Sequence, residues 1–253
     1  MNMKVQEIYD IIDQIAPFEL AEEWDNVGIL AGSADQEIER VLCALELNPA
    51  VISEAQRKDV QLIVTHHPIL FRGRKNLRED DPEGRMLCEL VRSRIALIAA
   101  HTNFDNADPG VNNVLAALLG LEDIESYDSG LRAGTPKQDM LGAFCDHART
   151  VLGGPIRCYG ERERRIHRVA VLGGAGGDYV ALCKNANADV FLTGEISHHR
   201  AWDAYLSGVS ALEAGHAATE MPAISLLADS LQKAADSVQC KLRVFVSEVD
   251  LFK

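Results

Sequence analysis

Short apolar or β-branched runs alternate along this chain with longer segments whose apolar residues recur at helical spacing. Val5, Ile8, Ile11, Ile12 and Ile15 share one helix face, and Pro17 stops the pattern. Strand-like runs follow at 27–31 and 41–45, then a helix after Pro49, then QLIVTHHP from Gln61 to Pro68. In that run Leu62, Ile63 and Val64 read as a buried strand whose ladder Pro68 cannot continue. Pro82 marks the first turn of a helix to about Arg94, followed by the apolar run Ile95–Ala100 and a helix after Pro109. The stretch from Glu122 to Gln138 is richer in Asp, Ser, Gly and Pro and weak in periodicity, and it reads as a connection between lobes. Beyond it come the run Leu141–Cys145, a short helix, a strand at 168–172, a helix from Tyr179 and a strand at 190–193. A helix after His198, a run at 209–214, a long helix to about Ala235 and LRVFVSEV close the chain. The alternation predicts an α/β protein of two joined lobes, about 1–125 and 126–253, with helices covering mixed sheets.

Three of the apolar runs end in histidines. The first delivers His66 and His67, the second His101-Thr-Asn-Phe-Asp105, and the third Gly215-His216-Ala-Ala-Thr-Glu220. Strand ends are where α/β folds place their chemistry. Successive side chains of an extended segment point opposite ways, so His66 and His67 suit two neighbouring metals better than one. His216 and Glu220 are four apart at the start of a helix pattern and lie on one face. His101 and Asp105 converge in the same way if their segment makes a turn. Imidazole with carboxylate is the usual mixed ligand set for zinc, iron, manganese and similar ions. An HxxxE spacing alone is common on surface helices; the combined set points to a metal site. Because donors come from both halves, the site is expected between the lobes.

Composition narrows the partners. The 253 residues are 47% hydrophobic and 25% charged, with a formal charge of −13. Such an acidic surface repels a phosphate backbone and disfavours nucleic acid as a partner. The first ten residues carry acids and no apolar core, unlike a secretory signal, and no run has the length a membrane span needs. Six widely spaced cysteines without a CxxC pair read as buried thiols in a reducing compartment, which suggests the cytoplasm.

Other motifs bear on substrate. Arg72, Arg74 and Lys75 follow the His-His pair on a loop that can lean over the site and meet an anionic group; a solvated basic loop is the plain alternative. Arg162 to Arg168, interleaved with acids, reads as a solvated loop. Leu172-Gly-Gly-Ala-Gly-Gly-Asp178 has the context of an anion-binding turn but fails the dinucleotide fingerprint, and a simple tight turn fits equally well. His198 and His199 open a helix, with capping or a substrate-facing role both open. Trp24-Asp25-Asn26 reads as a turn with a packed indole and no assigned chemistry. No P-loop and no GxSxG elbow is present, which disfavours an ordinary NTPase and a serine hydrolase.

THHP, AHTNFD and GHAATE, with Ala21-Glu-Glu-Trp-Asp-Asn-Val-Gly28 and Thr193-Gly-Glu-Ile-Ser-His-His199, resemble the GTP cyclohydrolase I type 2 homologues, also called the Nif-three-like family. The resemblance spans nearly the whole chain as one family unit, in the family's order. It implies two divalent cations per subunit, with His66, Asp105 and Glu220 holding one, His67 and His216 the other, and Glu220 bridging both. His101 is then a further ligand or a catalytic residue of the same pocket. Longer members carry an inserted mid-chain domain, for which this chain is too short. The implied activity is metal-dependent hydrolysis, with water attacking the guanine ring of a nucleotide and formate leaving. The implied assembly is a toroidal homohexamer. Phosphoester or nucleotide hydrolysis would use the same metal pair. A metal-handling or regulatory protein without turnover is the alternative of a different class.

Overall fold

A computed structural model of the protein describes residues 2–249. The chain forms two compact units, residues 1–107 with 224–253 and residues 108–223. They are not successive halves of the chain, because the C-terminal strand returns to the first unit.

In the first unit five strands lie in the order Arg243–Val246, Arg40–Ala44, Leu62–Thr65, Ala96–Ala99, Gly28–Ala31. All neighbours are parallel except Gly28–Ala31, which runs antiparallel to Ala96–Ala99. Leu62–Thr65 and Ala96–Ala99 are buried at every position, as parallel strands covered on both faces require. Helices Pro49–Arg57 and Pro82–Ser93 link these strands, each with proline in its first turn. Their N-caps are Asn48 and Asp81, whose side chains accept backbone N–H groups of the first turn.

Glu54, on the first of these helices, is only 2% exposed. It accepts hydrogen bonds from Lys58 Nζ at 2.6 Å, Ser247 Oγ at 2.6 Å and the backbone of Glu248 at 3.3 Å, which ties down the C-terminal segment. Burial alone would raise its pKa, but the hydrogen bonds from Lys58, Ser247 and Glu248 outweigh it, and the net shift is downward. A depressed carboxyl contributes stability above its unfolded value and loses it as pH falls through the folded one. Glu54→Ala should therefore lower stability by about 2 kcal/mol at neutral pH, discounted for the partly exposed Lys58. Thermal melts should show the gap closing as pH falls below the ordinary glutamate value of about 4.3. An unchanged gap at low pH would refute this account.

The second unit holds six strands in the order Glu122–Ser126, Arg132–Thr135, Val169–Leu172, Val190–Thr193, Ser210–Glu213, Arg157–Tyr159. The three from Val169 to Glu213 are parallel, and antiparallel neighbours flank them on both sides. Val169, Val171, Val190 and Leu192 pack on one face with Leu115, Leu141 and Phe144. Ala170, Leu172 and Phe191 pack on the other with Cys183, Ala201 and Ala204. Period-2 alternation thus feeds two cores, which is why these strands read as unbroken apolar runs.

Three expectations from sequence are corrected here. Glu122–Gln138 is no connection: it supplies two paired strands, and Arg132 within them is only 1% exposed. Leu141–Cys145 opens the helix Leu141–Leu152, with Leu141, Phe144, Cys145 and Ala148 buried at helical spacing. The Arg162–Arg168 segment is not simply solvated. Arg162 pairs with Asp146 at 2.6 Å, Arg164 donates to the Gly208 carbonyl at 2.6 Å, and Arg168 pairs with Glu125 at 2.6 Å.

One helix, His216–Ser237, starts in the second unit and continues into the first, with Pro222 inside it. Proline has no N–H to give the carbonyl four residues back. No helix among the described residues is long and apolar enough to cross a membrane. All six cysteines are free thiols. Burial pushes Cys43 and Cys183 up to about 12, so neither is a ready nucleophile.

Candidate metal centre

In the first unit the donors sit where two parallel strands end. The register pairs Thr65 with Ala99, so His66 and Ala100 emerge side by side. His66 is fully buried, and its Nδ1 lies 2.8 Å from the Ala100 carbonyl oxygen. A carbonyl only accepts, so Nδ1 carries a proton, and Nε2 is the ring nitrogen left for another partner. That Nε2 faces Asp105 Oδ1 at 3.6 Å. A proton on Nε2 or a cation between the two can join this pair. Asp105 reaches this position because Thr102–Asn106 does form a helical turn, with the Asp105 N–H donating to the His101 carbonyl at 3.0 Å.

His67 and His101 are half-buried beside it, with ring centroids 5.1 Å from His66 in each case. Ligand nitrogens of His66, His67 and His101 all lie within 4.8 Å of one another, close enough to hold one ion. His101 Nδ1 lies 3.0 Å from both oxygens of Asp25, whose side chain is fully buried. Asp25 also accepts the Thr102 N–H at 3.0 Å and, closely, the Thr102 hydroxyl. Burial would raise the Asp25 carboxyl, but hydrogen bonds from His101 and Thr102 bring it down to about 2. An ionised carboxylate thus holds the Nδ1 proton of His101 and leaves Nε2 to bind a metal or accept a proton, the outer arrangement common to metal-bound histidines.

Nothing in the sequence around Trp24-Asp25-Asn26 singles out Asp25. Its role depends on the pairing of Gly28–Ala31 with Ala96–Ala99, which brings two segments 76 residues apart together. Trp24, expected as a packed indole, is 59% exposed.

In the second unit His216 opens its helix directly after Ser210–Glu213 and a glycine at φ +91°. The four-residue spacing brings His216 Nε2 to 3.2 Å from Glu220 Oε2, while His216 Nδ1 lies 3.2 Å from Glu195 Oε1. The Glu220 hydrogen bond raises the His216 pKa, against desolvation, with Glu195 adding to the rise. Glu220 is only 4% exposed. A proton or a cation can serve this donor set.

The glycine-rich turn at 173–177 is a wall of the same site. Three of its N–H groups are taken by protein: Gly173 donates to Asn112 Oδ1 at 2.7 Å, Gly174 to Thr219 Oγ1 at 3.0 Å and Gly176 to Thr193 Oγ1 at 3.0 Å. A Cβ on Gly174 would stand 2.2 Å from Glu220 Oε1 and 3.3 Å from His216 Nε2. The missing side chain is what lets the backbone close on the carboxylate.

The remaining candidates are placed plainly. Arg74 is held by the Asp81 and Glu83 carboxylates, while Arg72 and Lys75 are exposed. His198 and His199 are exposed at the start of the helix His198–Leu206, where the cap is Ser197, which accepts the Arg200 N–H at 3.3 Å.

Each unit therefore carries histidines and carboxylates at the C-terminal ends of parallel strands, which defines an α/β protein with groups that can hold a metal ion. The chain belongs to the Duf34/NIF3 (NGG1p interacting factor 3) family, whose model matches residues 3–251. The resemblance read from the motifs is thereby confirmed. A GTP cyclohydrolase 1 type 2 homolog of Streptomyces coelicolor is 34% identical over 97% of this chain and 91% of its own length. One from Clostridium acetobutylicum is 28% identical over 100% of this chain and 99% of its own. Among solved structures, a hypothetical protein of Staphylococcus aureus superposes with a TM-score of 0.94 at 29% identity, covering 100% of this chain and 99% of that one. Reduced HcgD from Methanocaldococcus jannaschii superposes with a TM-score of 0.84 at 29% identity, over 98% of this chain and 99% of that one.

Proposed function

We propose that this protein is a divalent-metal-dependent hydrolase acting on a nucleotide-type substrate. The observation that carries the reading is the gathering of the His66, His67 and His101 ligand nitrogens within 4.8 Å of one another, with Asp105 beside buried His66. The ligand set follows the family resemblance: His66, His67, Asp105, His216 and Glu220 holding two cations, with Glu220 shared by both. Zinc, iron and manganese all suit this mix of imidazole and carboxylate. Bound there, the cations supply Lewis acidity and lower the pKa of water toward neutrality.

The chain's own residues do the rest. Asp25 keeps the Nδ1 proton on His101, so His101 Nε2 takes a proton from the attacking water or returns one to the leaving group. Arg72 and Lys75 meet the phosphate of the substrate, and Arg74, occupied by Asp81 and Glu83, shapes their loop. The printed names of the relatives favour a nucleotide over a simple phosphoester.

The test is a hydrolysis screen of nucleotides and phosphoesters with purified protein of measured metal content, before and after chelation. Turnover should vanish with the metal and return when zinc, manganese or iron is added back. Metal-loaded protein that turns over none of these substrates would overturn the hydrolase reading in favour of a metal-handling protein.

A further inference from the structure

Two large aromatic side chains stand in solvent beside His101. Trp24 is 59% exposed and Phe71 is 48% exposed, in a chain with only two tryptophans and seven phenylalanines. Both rings stand nearly perpendicular to the His101 imidazole: Trp24 at 74° with centroids 6.2 Å apart, Phe71 at 88° with centroids 5.5 Å apart. Isolated exposed apolar residues are ordinary on any surface. These two converge on one histidine, which itself stands among the donor nitrogens of His66 and His67.

Their loops are also tied to each other and to the donors. Asn26 Nδ2 donates to the Leu70 carbonyl at 2.6 Å, joining the loop of Trp24 to the residue before Phe71. Between Trp24 and Asn26, Asp25 is bonded to His101 and Thr102. Glu22 adds a backbone bond to Thr102 Oγ1 at 3.0 Å, and the Asp25 N–H returns to the Glu22 carbonyl at 2.9 Å. Of three consecutive residues, Asp25 orients the histidine, Asn26 fixes the opposite loop, and Trp24 is left outside. A packing role would have buried the indole, since burial of an aromatic ring is strongly favourable.

We propose that Trp24 and Phe71 form a stacking platform over His101 that takes a planar nitrogen heterocycle, the nucleobase part of the substrate. Aromatic rings bind bases through their π faces with little regard to edge pattern, so the pair selects for a flat ring and not for a particular base. Exposed Arg72 adjoins Phe71 in sequence and supplies a cation for the phosphate of the same ligand. A ring held here lies next to His101 Nε2 and the metal donors. This assignment deepens the hydrolase reading by naming the substrate feature that the site recognises.

The experiment reads binding and not turnover, so the two proposals can fail separately. Trp202→Phe leaves Trp24 as the single tryptophan of the full chain. Guanosine 5′-monophosphate should quench its fluorescence saturably, and ribose 5-phosphate, which lacks the ring, should not. By calorimetry, Trp24→Ala and Phe71→Ala should each weaken guanosine 5′-monophosphate binding by about thirtyfold, the middle of the range for loss of one stacking contact. Both should leave metal content and ribose 5-phosphate binding as in the parent, and Trp24→Phe should restore most of the loss. Both side chains are exposed, so the variants should fold. Saturable quenching without hydrolysis would keep the platform and remove the enzyme. Equal affinity for the two probes, or Ala variants that bind guanosine 5′-monophosphate as the parent does, would overturn the platform.

Discussion

Replacing Glu220 with Gln should strip most of the bound metal from this protein while leaving the fold intact. The substitution keeps shape and one acceptor oxygen but removes the negative charge. Glu220 is only 4% exposed and lies 3.2 Å from His216 Nε2, so its charge is held in a poorly solvated place. A buried carboxylate near an imidazole costs stability unless a cation or proton compensates it. Two results should therefore appear together. Elemental analysis of gently purified Glu220→Gln should show a sharp fall in divalent metal per chain, affecting both ions if the carboxylate bridges them. The metal-free variant should fall below the metal-free parent in stability by no more than about 1 kcal/mol, the worth of one weakened His216–Glu220 hydrogen bond. Absence of divalent metal from the parent, with none bound on addition, would remove the metal centre from the account. A variant that keeps its full metal complement would remove Glu220 from the ligand set.

Gly174→Ala should damage the same site without replacing a ligand. Its Cβ would stand 2.2 Å from Glu220 Oε1, far inside contact distance, and Gly174 has φ +61°. The carboxylate is the mobile end of a side chain, so it should swing away and the fold should survive. Two costs are then mixed: the backbone strain of a non-glycine residue in the left-handed region, about 1 kcal/mol, and displacement of the ligand. Gly153→Ala separates them. Gly153 caps the helix Leu141–Leu152 at φ +73°, and a Cβ there meets nothing within 4 Å. Gly153→Ala should lose about 1 kcal/mol of stability and no metal affinity. Gly174→Ala should lose comparable or greater stability and at least tenfold in metal affinity, in the range seen when the surroundings of a ligand are disturbed. Equal metal affinity in the two variants would show that the carboxylate at 220 does not hold the ion.

The sequence by itself determined most of the elements and the donor types of the candidate site. Leu62–Thr65, Ala96–Ala99 and Val190–Thr193 were readable because strands buried on both faces must be apolar at every position. His216 and Glu220 were readable as a pair because the helix repeat fixes which residues share a face, whatever surrounds them. The element assignments failed where periodicity is weak or a run is short. Leu141–Cys145 is too brief to distinguish strand from helix until Ala148 extends its buried face. Glu122–Ser126 is exposed along its length, so its place at a sheet edge left no apolar signal.

Tertiary structure alone decided which side chains are oriented, and by what. No local rule links Asp25 to His101 across 76 positions, or the Ala100 carbonyl to the ring of His66 across 34. Strand pairing sets both contacts, and pairing between distant segments is not written in any window of sequence. The same holds for Gly174. Glycines in a turn announce backbone freedom, but only the packed structure shows that the space of the absent Cβ is occupied by the Glu220 carboxylate. Donor types and their spacing follow from local geometry, which the sequence encodes. Tautomers, ionisation and close approach depend on what the fold brings within a few ångströms, because hydrogen bonds and close charge interactions are short-ranged and burial is set by the packed surroundings.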